Sequence, residues 1–342
     1  MAGAGRRFRT GRWLVPTLIL VPLAVILVSL FIGKFHASPG DIVNLIGSRL
    51  LPFVHSDASP SLQTAILQVR LPRILLAMLV GMSLAIGGAS FQGLFRNPLV
   101  SSQILGVSSG ASFGAAIAIV MSLPALGIQL SAFVFGLAAV GLALLITRFY
   151  KSSPTLTLVL AGIVIGSLFS SMVSLITYTA DPNLKLPAIV FWLMGSLASS
   201  ANSDLVFALP PMLIGITVLM LIRWRINVLS MGEEEAKALG VNTDRLRLII
   251  VVCATMITSA AVSVSGVIGW VGLVIPHFGR ILVGPDHRVL LPTCLALGGA
   301  YLLIMDDIAR TLTTAEIPIG IITGIIGAPI FAYLLTRGTR WS

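Results

Sequence analysis

One stretch of the chain carries no charged residue for 29 positions, from Leu248 to Pro276. About 20 apolar residues are enough for a helix to cross the hydrocarbon core of a bilayer, so this run is too long for one span. It is interrupted by Gly266, Gly269 and Gly272, and we expect the chain to break there into two helices. A segment of this length and composition predicts a membrane protein.

The overall composition supports this class. Charged residues make up only 10% of the 342 residues and hydrophobic residues make up 56%. Soluble domains are nearer one quarter charged, so a soluble globule is excluded and the net charge of +10 does not indicate nucleic acid. Cys253 and Cys294 lie in apolar runs, which favours core positions over disulfides or a metal site. We expect an all-α polytopic membrane protein with one transmembrane domain over residues 1–342.

Apolar runs of membrane length recur along the chain and predict ten transmembrane helices, with both termini in the cytoplasm. The first run resembles a signal peptide, but it lacks a small-residue cleavage pattern and is long enough to span. An apolar piece of about twelve residues between 181 and 203 is too short to cross and predicts a re-entrant or interfacial helix. The predicted spans are approximately 13–33, 62–95, 103–123, 126–147, 155–178, 204–222, two helices between 248 and 283, 289–309 and 318–336.

The cations are divided unequally between the two sides of this topology. Sixteen Lys and Arg residues fall on the side that holds the N-terminus, and six fall on the other side. The positive-inside rule therefore places the N-terminus in the cytoplasm. The six outer cations are Lys34, Arg49, Arg70, Arg73, Lys185 and Arg310.

The longest polar block in the second half of the chain, residues 230–247, lies between two apolar runs. Ser230 and Glu233 fit a capping box, and Glu233 and Lys237 fit an i,i+4 ion pair. Gly240 fits a left-handed helix stop. These signals predict a short helix outside the bilayer.

This short helix is expected to present Ala236 and Leu239 on one face. Two interpretations stay open from the residues alone. The hairpin is either a contact surface for a soluble partner or a solvated loop with a helical turn, and spacing favours the solvated loop.

Nine short sequence motifs, spread in order over some 260 positions, together match the signature of a single family. They are RLPR (70–73), Gln92 with RNPL (96–99), LGVSSGASFGA (105–115), LAG (160–162), FWLMGSL (191–197), GEEEAKALGV (232–241), SGVIGWVGLVIPHFGR (265–280), DHRVLLP (286–292) and IPIGIITGIIGAPIF (317–331). The chain resembles the permease subunits of type II ATP-binding-cassette importers. These proteins take up ferric siderophores, haem, cobalamin and, in some members, oxyanions such as molybdate.

The resemblance implies a bundle like that of cobalamin-importer permeases, assembled as a homodimer in the cytoplasmic membrane of a bacterium or archaeon. It also implies two ATPase subunits on the cytoplasmic side and a substrate-binding protein on the outer side. The sequence has no G-x-x-x-x-G-K-[ST] phosphate loop, so ATP and Mg²⁺ are expected on the partner ATPase. For this chain we expect no enzymatic activity, no cofactor, no metal and no nucleic-acid partner.

The resemblance also implies roles for individual residues. It implies that the hairpin at 230–247 is the element that couples to the ATPase, and this replaces the solvated-loop interpretation. It places a cytoplasmic gate at Asn97, Leu99 and Thr155. The coupling residues are Gly232, Glu233, Ala236, Leu239 and Gly240.

In the family, arginines that match Arg70, Arg73 and Arg310 receive carboxylates of the binding protein. Guanidinium suits this role because it stays charged and binds carboxylate through two donors. Without the resemblance, arginines at helix ends are better interpreted as interfacial anchors. With it, we expect the three arginines to lie at the outer mouth of the pathway.

Asp306 and Asp307 are adjacent acids in an apolar run, and a carboxylate within the membrane is a functional hypothesis by default. Asp306 stands four residues before Arg310, which predicts a local pair that orients the arginine. The sequence assigns no role to Asp307. An ion-coupled secondary transporter that uses one of these acids is the alternative from a different functional class.

The function expected from the sequence is the permease subunit of an ATP-driven importer. The expected cargo is a metal chelate, either a ferric siderophore or haem, and cobalamin or a molybdate-like oxyanion are the alternatives within the family. No constellation of catalytic residues suggests a membrane enzyme.

Overall fold

The computed structural model describes residues 14–33, 38–50, 59–149 and 154–336. Within these ranges the chain forms fourteen helices and no strand. The helices are α1 (Leu14–Phe31), α2 (Pro39–Leu50), α3 (Pro60–Phe95), α4 (Val107–Val120), α5 (Ala125–Phe149), α6 (Pro154–Thr179), α7 (Lys185–Leu193), α8 (Asn202–Leu221), α9 (Arg223–Met231), α10 (Glu233–Ala238), α11 (Thr243–Ser265), α12 (Val271–Val283), α13 (His287–Thr311) and α14 (Ile319–Thr336).

Seven of these helices are long and apolar enough to cross a membrane, namely α1, α3, α5, α6, α8, α11 and α13. Three shorter apolar helices, α4, α12 and α14, occupy the positions of the remaining predicted spans. The all-α polytopic membrane class is therefore confirmed. The count of ten crossings and the cytoplasmic placement of the termini stay predictions, and the basic residues of segments 1–13 and 337–342 lie outside the described residues.

Helix α3 is the centre of the bundle, because 83% of its most apolar 18 residues are buried, compared with 17% of the residues of α1. It begins at Pro60 after the N-cap Ser59, whose side chain accepts a hydrogen bond from the Leu62 amide. Residues Thr64–Arg70 form a π-helical stretch, which returns to α-helix at Leu71. Residue Arg96, in the left-handed conformation, ends the helix.

Glycines let α3 approach its neighbours closely. The Cβ of an alanine at Gly298 in α13 would come within 2.5 Å of the Gly81 carbonyl oxygen, and Gly88 meets the backbone of Gly272 in the same way. In lipid, where apolar burial between helices is not a driving force, such backbone contact and dispersion hold helices together. Residues Gly81 and Gly298 therefore fix the distance between α3 and α13.

The predicted break in the long apolar run is confirmed, because α11 ends at Ser265 and α12 begins at Val271. The end of α7 and the beginning of α14 lie against this break. The Ser196 amide donates to Ser265 O at 2.7 Å, and the Gly320 amide donates to Gly195 O at 3.4 Å. Irregular backbone at three helix ends is thus paired within the protein, as an apolar environment requires.

Two short helices, α7 and α2, lie outside the predicted spans. Helix α7 has nine residues, so the short apolar piece is indeed too short to cross. The segment between the first two predicted spans contains the amphipathic helix α2, which is not among the predicted helices. Its Ile42 and Leu45, three positions apart, pack against Leu62 and Ile66 of α3, and this contact with a distant part of the chain explains why a weak local pattern forms a helix.

Replacing Gly81 by Ala should destabilise the protein, because the new methyl group overlaps the Gly298 carbonyl. Overpacking of a tight contact typically costs about 1–3 kcal/mol. Gly141→Ala in α5 is the matched control, since a Cβ there meets no atom within 4 Å. Thermal unfolding in detergent should show a lower midpoint for Gly81→Ala alone, and equal midpoints for the two variants would contradict the close-packing argument.

Candidate functional site

A buried cluster of charges joins α3 to the end of α13. Arg73 binds Asp306 through two bonds, Nε to Oδ2 at 2.9 Å and Nη2 to Oδ1 at 2.8 Å. Its third nitrogen, Nη1, binds Glu316 Oε2 at 2.8 Å in the segment between α13 and α14. The predicted local pair between Asp306 and Arg310 is therefore wrong, because Asp306 faces α3 and pairs with Arg73 instead.

The second half of the cluster joins α13 to α1. Arg310 binds the Asp307 carboxylate and also donates to the Ser29 carbonyl oxygen at 3.0 Å. The Ser29 hydroxyl donates to Asp307 Oδ1 at 2.7 Å. Asp307, which has no role assigned from sequence, is thus the acid that holds Arg310.

Arg70 reaches the same end of α1, where its Nη1 donates to Leu30 O at 2.9 Å. The last carbonyls of a helix lack partners within the helix, and guanidinium groups satisfy them here. Both Arg70 and Arg310 therefore fasten α1 to the bundle. A cavity of about 520 Å³, lined by Gly33, Arg310 and the chain from Thr311 to Thr314, opens beside them.

The three arginines are only 5–6% exposed in the single chain. Their role in docking a binding protein therefore stays a prediction. A buried charge requires a partner. Arg73 finds its acid on another helix, and Arg310 finds its acid one turn away on its own helix. Glu316 was missed in the sequence because it lies in a short polar segment with no helical spacing to Arg73.

In the structure the predicted hairpin begins earlier, at Arg223, and extends over residues 223–247. It contains the two short helices α9 and α10. The predicted capping box is wrong, because Ser230 lies in the last turn of α9 and its hydroxyl donates to the Asn227 carbonyl oxygen at 2.7 Å. The helix start is at Gly232 instead. Two other signals are confirmed: Glu233 and Lys237 stand 3.8 Å apart, and Gly240 is left-handed with φ +77°.

Only one of the two residues expected on the contact face of the hairpin is available. Leu239 is 61% exposed, whereas Ala236 is fully buried in the protein's own core. The prediction that both share an exposed face is wrong for Ala236, because α10 lies against α9 and α11 rather than standing free in water. Leu239 remains as an apolar side chain presented to solvent.

An ion pair holds the hairpin to the first turn of α11. Arg247 Nη2 lies 2.7 Å from Glu233 Oε1, and Arg247 Nη1 lies 3.0 Å from Asp244 Oδ1. Burial alone would raise the pKa of Glu233, but hydrogen bonding and the charge of Arg247 outweigh burial and hold this pKa below its usual range. Glu233 is therefore ionised at neutral pH, and its bond to Arg247 ties α10 to α11.

The predicted gate residues lie at two helix ends. After α3, the Asn97 side chain accepts a hydrogen bond from the Leu99 amide at 2.9 Å, which closes a turn around Pro98. This turn leaves Leu99 49% exposed. Thr155 is half-buried in the first turn of α6.

Within the described residues, no three His, Cys, Asp or Glu side chains come together as a metal site. Cys253 and Cys294 are both buried, as expected for core residues. Asp306 and Asp307 each bind a guanidinium group. The two carboxylates that an ion-coupled transporter would use are therefore already ion-paired.

Comparisons with known proteins agree with this architecture. The molybdate import system permease protein MolB of Haemophilus influenzae is 43% identical over 95% of this chain and 95% of its own. The hemin transport system permease protein HmuU of Yersinia pestis is 42% identical over 79% of this chain and 83% of its own. The cobalamin import system permease protein BtuC of Halobacterium salinarum is 45% identical over 78% of this chain and 72% of its own.

Solved structures extend the comparison to three dimensions. A structure described as an inward-facing, metal-chelate type ABC transporter superposes with a TM-score of 0.85 at 41% identity, over 95% of this chain and 99% of the other. PsaBC from Streptococcus pneumoniae, at 16% identity, shares the fold alone with a TM-score of 0.56. The sequence profile of the FecCD transport family matches residues 19–337. The chain belongs to the FecCD transport family.

Proposed function

We propose that this chain is the membrane-spanning permease subunit of an ATP-binding-cassette importer that moves a metal chelate, a ferric siderophore or haem, into the cytoplasm. The observation that carries the proposal is the likeness to the metal-chelate type transporter over 95% of the chain. Relatives named for iron chelatin and hemin transport support the same cargo. The chelate arrives on a substrate-binding protein and leaves on the cytoplasmic side.

The partners follow from what the chain itself lacks. Its sequence has no ATP-binding phosphate loop, so ATP and Mg²⁺ bind to a separate ATPase. The working unit is two copies of this chain, two ATPase subunits and one binding protein, in the inner membrane of a bacterium or archaeon. The hairpin with exposed Leu239 is the ATPase contact.

A second candidate cargo is molybdate, favoured by the 43% identity to MolB over nearly the whole chain, and cobalamin is a third. Uptake into proteoliposomes that hold the whole complex separates these cargoes. The complex should accumulate a radiolabelled ferric siderophore or haem with ATP inside, and molybdate or cobalamin should stay at background. Accumulation of molybdate alone would replace the first cargo by the second.

Replacing Leu239 by Asp should abolish uptake, because the exposed apolar contact with the ATPase is lost while the permease core is untouched. Leu239→Met conserves volume and apolar character and is the control. The measurements are co-purification of the ATPase and uptake by the complex. Normal uptake in Leu239→Asp, with the variant inserted and folded, would exclude this contact.

We propose that Asn97, Leu99 and Thr155 narrow the cytoplasmic end of the pathway. Cysteines that replace Leu99 in both subunits of the dimer should be joined by a short crosslinker in one nucleotide state and not in another. Leu145→Cys, on the exposed face of α5, is the control and should never crosslink. A yield at Leu99 that is the same in every nucleotide state would argue against a gate.

We propose that the binding protein docks by exchange of carboxylates at the buried cluster. Glu316 is its most accessible member, since its side chain is 27% exposed while that of Arg73 is 7% exposed. A carboxylate of the binding protein that displaces Glu316 would bind Arg73 Nη1 and leave Asp306 buried. The Arg73–Asp306 pair stays in place during this exchange.

Glu316→Gln should therefore strengthen docking by up to about fivefold, since a partly exposed ion pair contributes ~0.2–1 kcal/mol. Affinity for the binding protein, measured at several salt concentrations, should also fall as salt rises. Asp181→Asn removes an exposed carboxylate from the same predicted side and should leave affinity unchanged. Unaltered or weaker binding in Glu316→Gln would rule out the exchange.

A further inference from the structure

The amide of Asn227 in α9 clamps the beginning of α13. Its Oδ1 accepts from the His287 backbone N–H at 2.7 Å and lies 2.9 Å from His287 Nδ1. Its Nδ2 donates to Asp286 Oδ1. Asp286 is the N-cap of α13, so one side chain of the hairpin binds both the cap and the first residue of that helix.

The chemistry of this clamp requires an amide. The backbone N–H can only donate and the ionised carboxylate can only accept, so the side chain between them must offer one acceptor and one donor. Hydrogen bonds from Arg288 hold the pKa of Asp286 below its usual range, which keeps the carboxylate ionised.

The clamp is also packed on α3. A Cβ at Gly93 would come within 2.8 Å of the Ile226 side chain and 2.6 Å of His287 Nε2. Helices α9, α3 and α13 therefore meet without space at this glycine. Because no gap separates the three helices there, α9 cannot shift toward its neighbours without displacing them.

The other ends of the same two helices hold the buried charges. Helix α13 has 25 residues, about 37 Å at 1.5 Å per residue, and carries Asp306 in its last turns. Helix α3 carries Arg73, which binds Asp306. Helices α3 and α13 are thus held by the hairpin at one end and joined by the ionic cluster at the other end.

We propose that Asn227 is a positioning residue that transmits movement of the cytoplasmic hairpin to α13 and so to the outer ionic cluster. This inference rests on the proposed function, because the hairpin moves only if an ATPase binds it. The clamp joins the hairpin to α13 in the way that the Glu233–Arg247 pair joins it to α11. The motif DHRVLLP at 286–292 supplies the α13 side of the clamp.

The test uses the whole complex and a set of isosteric variants. Asn227→Asp keeps the shape of the side chain but sets two carboxylates against each other. Asp286→Asn in the same chain restores one donor and one acceptor between the two side chains. Because Asp286 Oδ1 also accepts from the Arg288 amide, the Asp286→Asn single variant measures the separate effect on the N-cap. Asn242→Asp is the control, because Asn242 caps α11 in the same hairpin through an acceptor oxygen that Asp retains.

We expect Asn227→Asp to lower uptake about tenfold, within the ~2- to 30-fold range reached by substitutions that alter coupling. ATPase co-purification and thermal midpoint should stay at wild-type values, and the Asn227→Asp/Asp286→Asn double variant should recover uptake to the level of Asp286→Asn alone. A cysteine that replaces exposed Leu312, just after α13, reports on the outer end. Its labelling rate should change with nucleotide in wild type and the double variant and stay constant in Asn227→Asp.

Wild-type uptake and labelling in Asn227→Asp, or no recovery in the double variant, would overturn the inference. A lowered thermal midpoint that accompanies the loss of uptake would also overturn it, because the clamp would then act only in folding. Failure of the proposed function looks different. In that case no ATPase binds the wild-type chain, and every variant gives the same result.

Discussion

The close approach of α3 to α13 at Gly81 and Gly298 determines how the rest of the molecule is arranged. Lipid offers apolar side chains as good an environment as the protein interior, so burial of Leu or Ile does not select one helix neighbour over another. Backbone contact does select, because only positions without a Cβ allow it. The two helices brought together by these glycines then determine which polar side chains can meet at either end.

The ionic cluster follows from that arrangement. Removing one partner from a buried pair is strongly destabilising, whereas a complete pair in good geometry is tolerated. Three arginines and three acids balance here, distributed over α1, α3, α13 and the segment before α14. The cluster therefore ties these segments to one another through buried charges.

The sequence predicts those features that depend on local composition. The seven long apolar helices, the break between α11 and α12 and the stop at Gly240 agree with the sequence, because each depends on residues within one or two turns. The pairing of charges was not. Asp306 was assigned to Arg310 by spacing, but the side chain of Asp306 points to α3, and only the packing of distant segments shows that.

The hairpin illustrates the same limit at the other surface. Its acidic first turn and its glycine stop are local, and they identified α10 correctly. The burial of Ala236 and the role of Ser230 depend on the preceding helix α9, which the sequence shows only as a short continuation after Arg223. Helix α2 was missed for a related reason, since its amphipathic face is stabilised by α3 rather than by its own residues.

The π-helical stretch at Thr64–Arg70 acts as a one-residue insertion in the longest helix. Each residue of an α-helix turns the chain by about 100°, so the insertion rotates everything before it relative to the glycine face of α3. The segment before α3, with α2 packed on Ile66, takes its orientation from this stretch. Gain or loss of a single residue at this point would turn α2 by about 100° about the axis of α3 and leave the rest of the bundle unchanged.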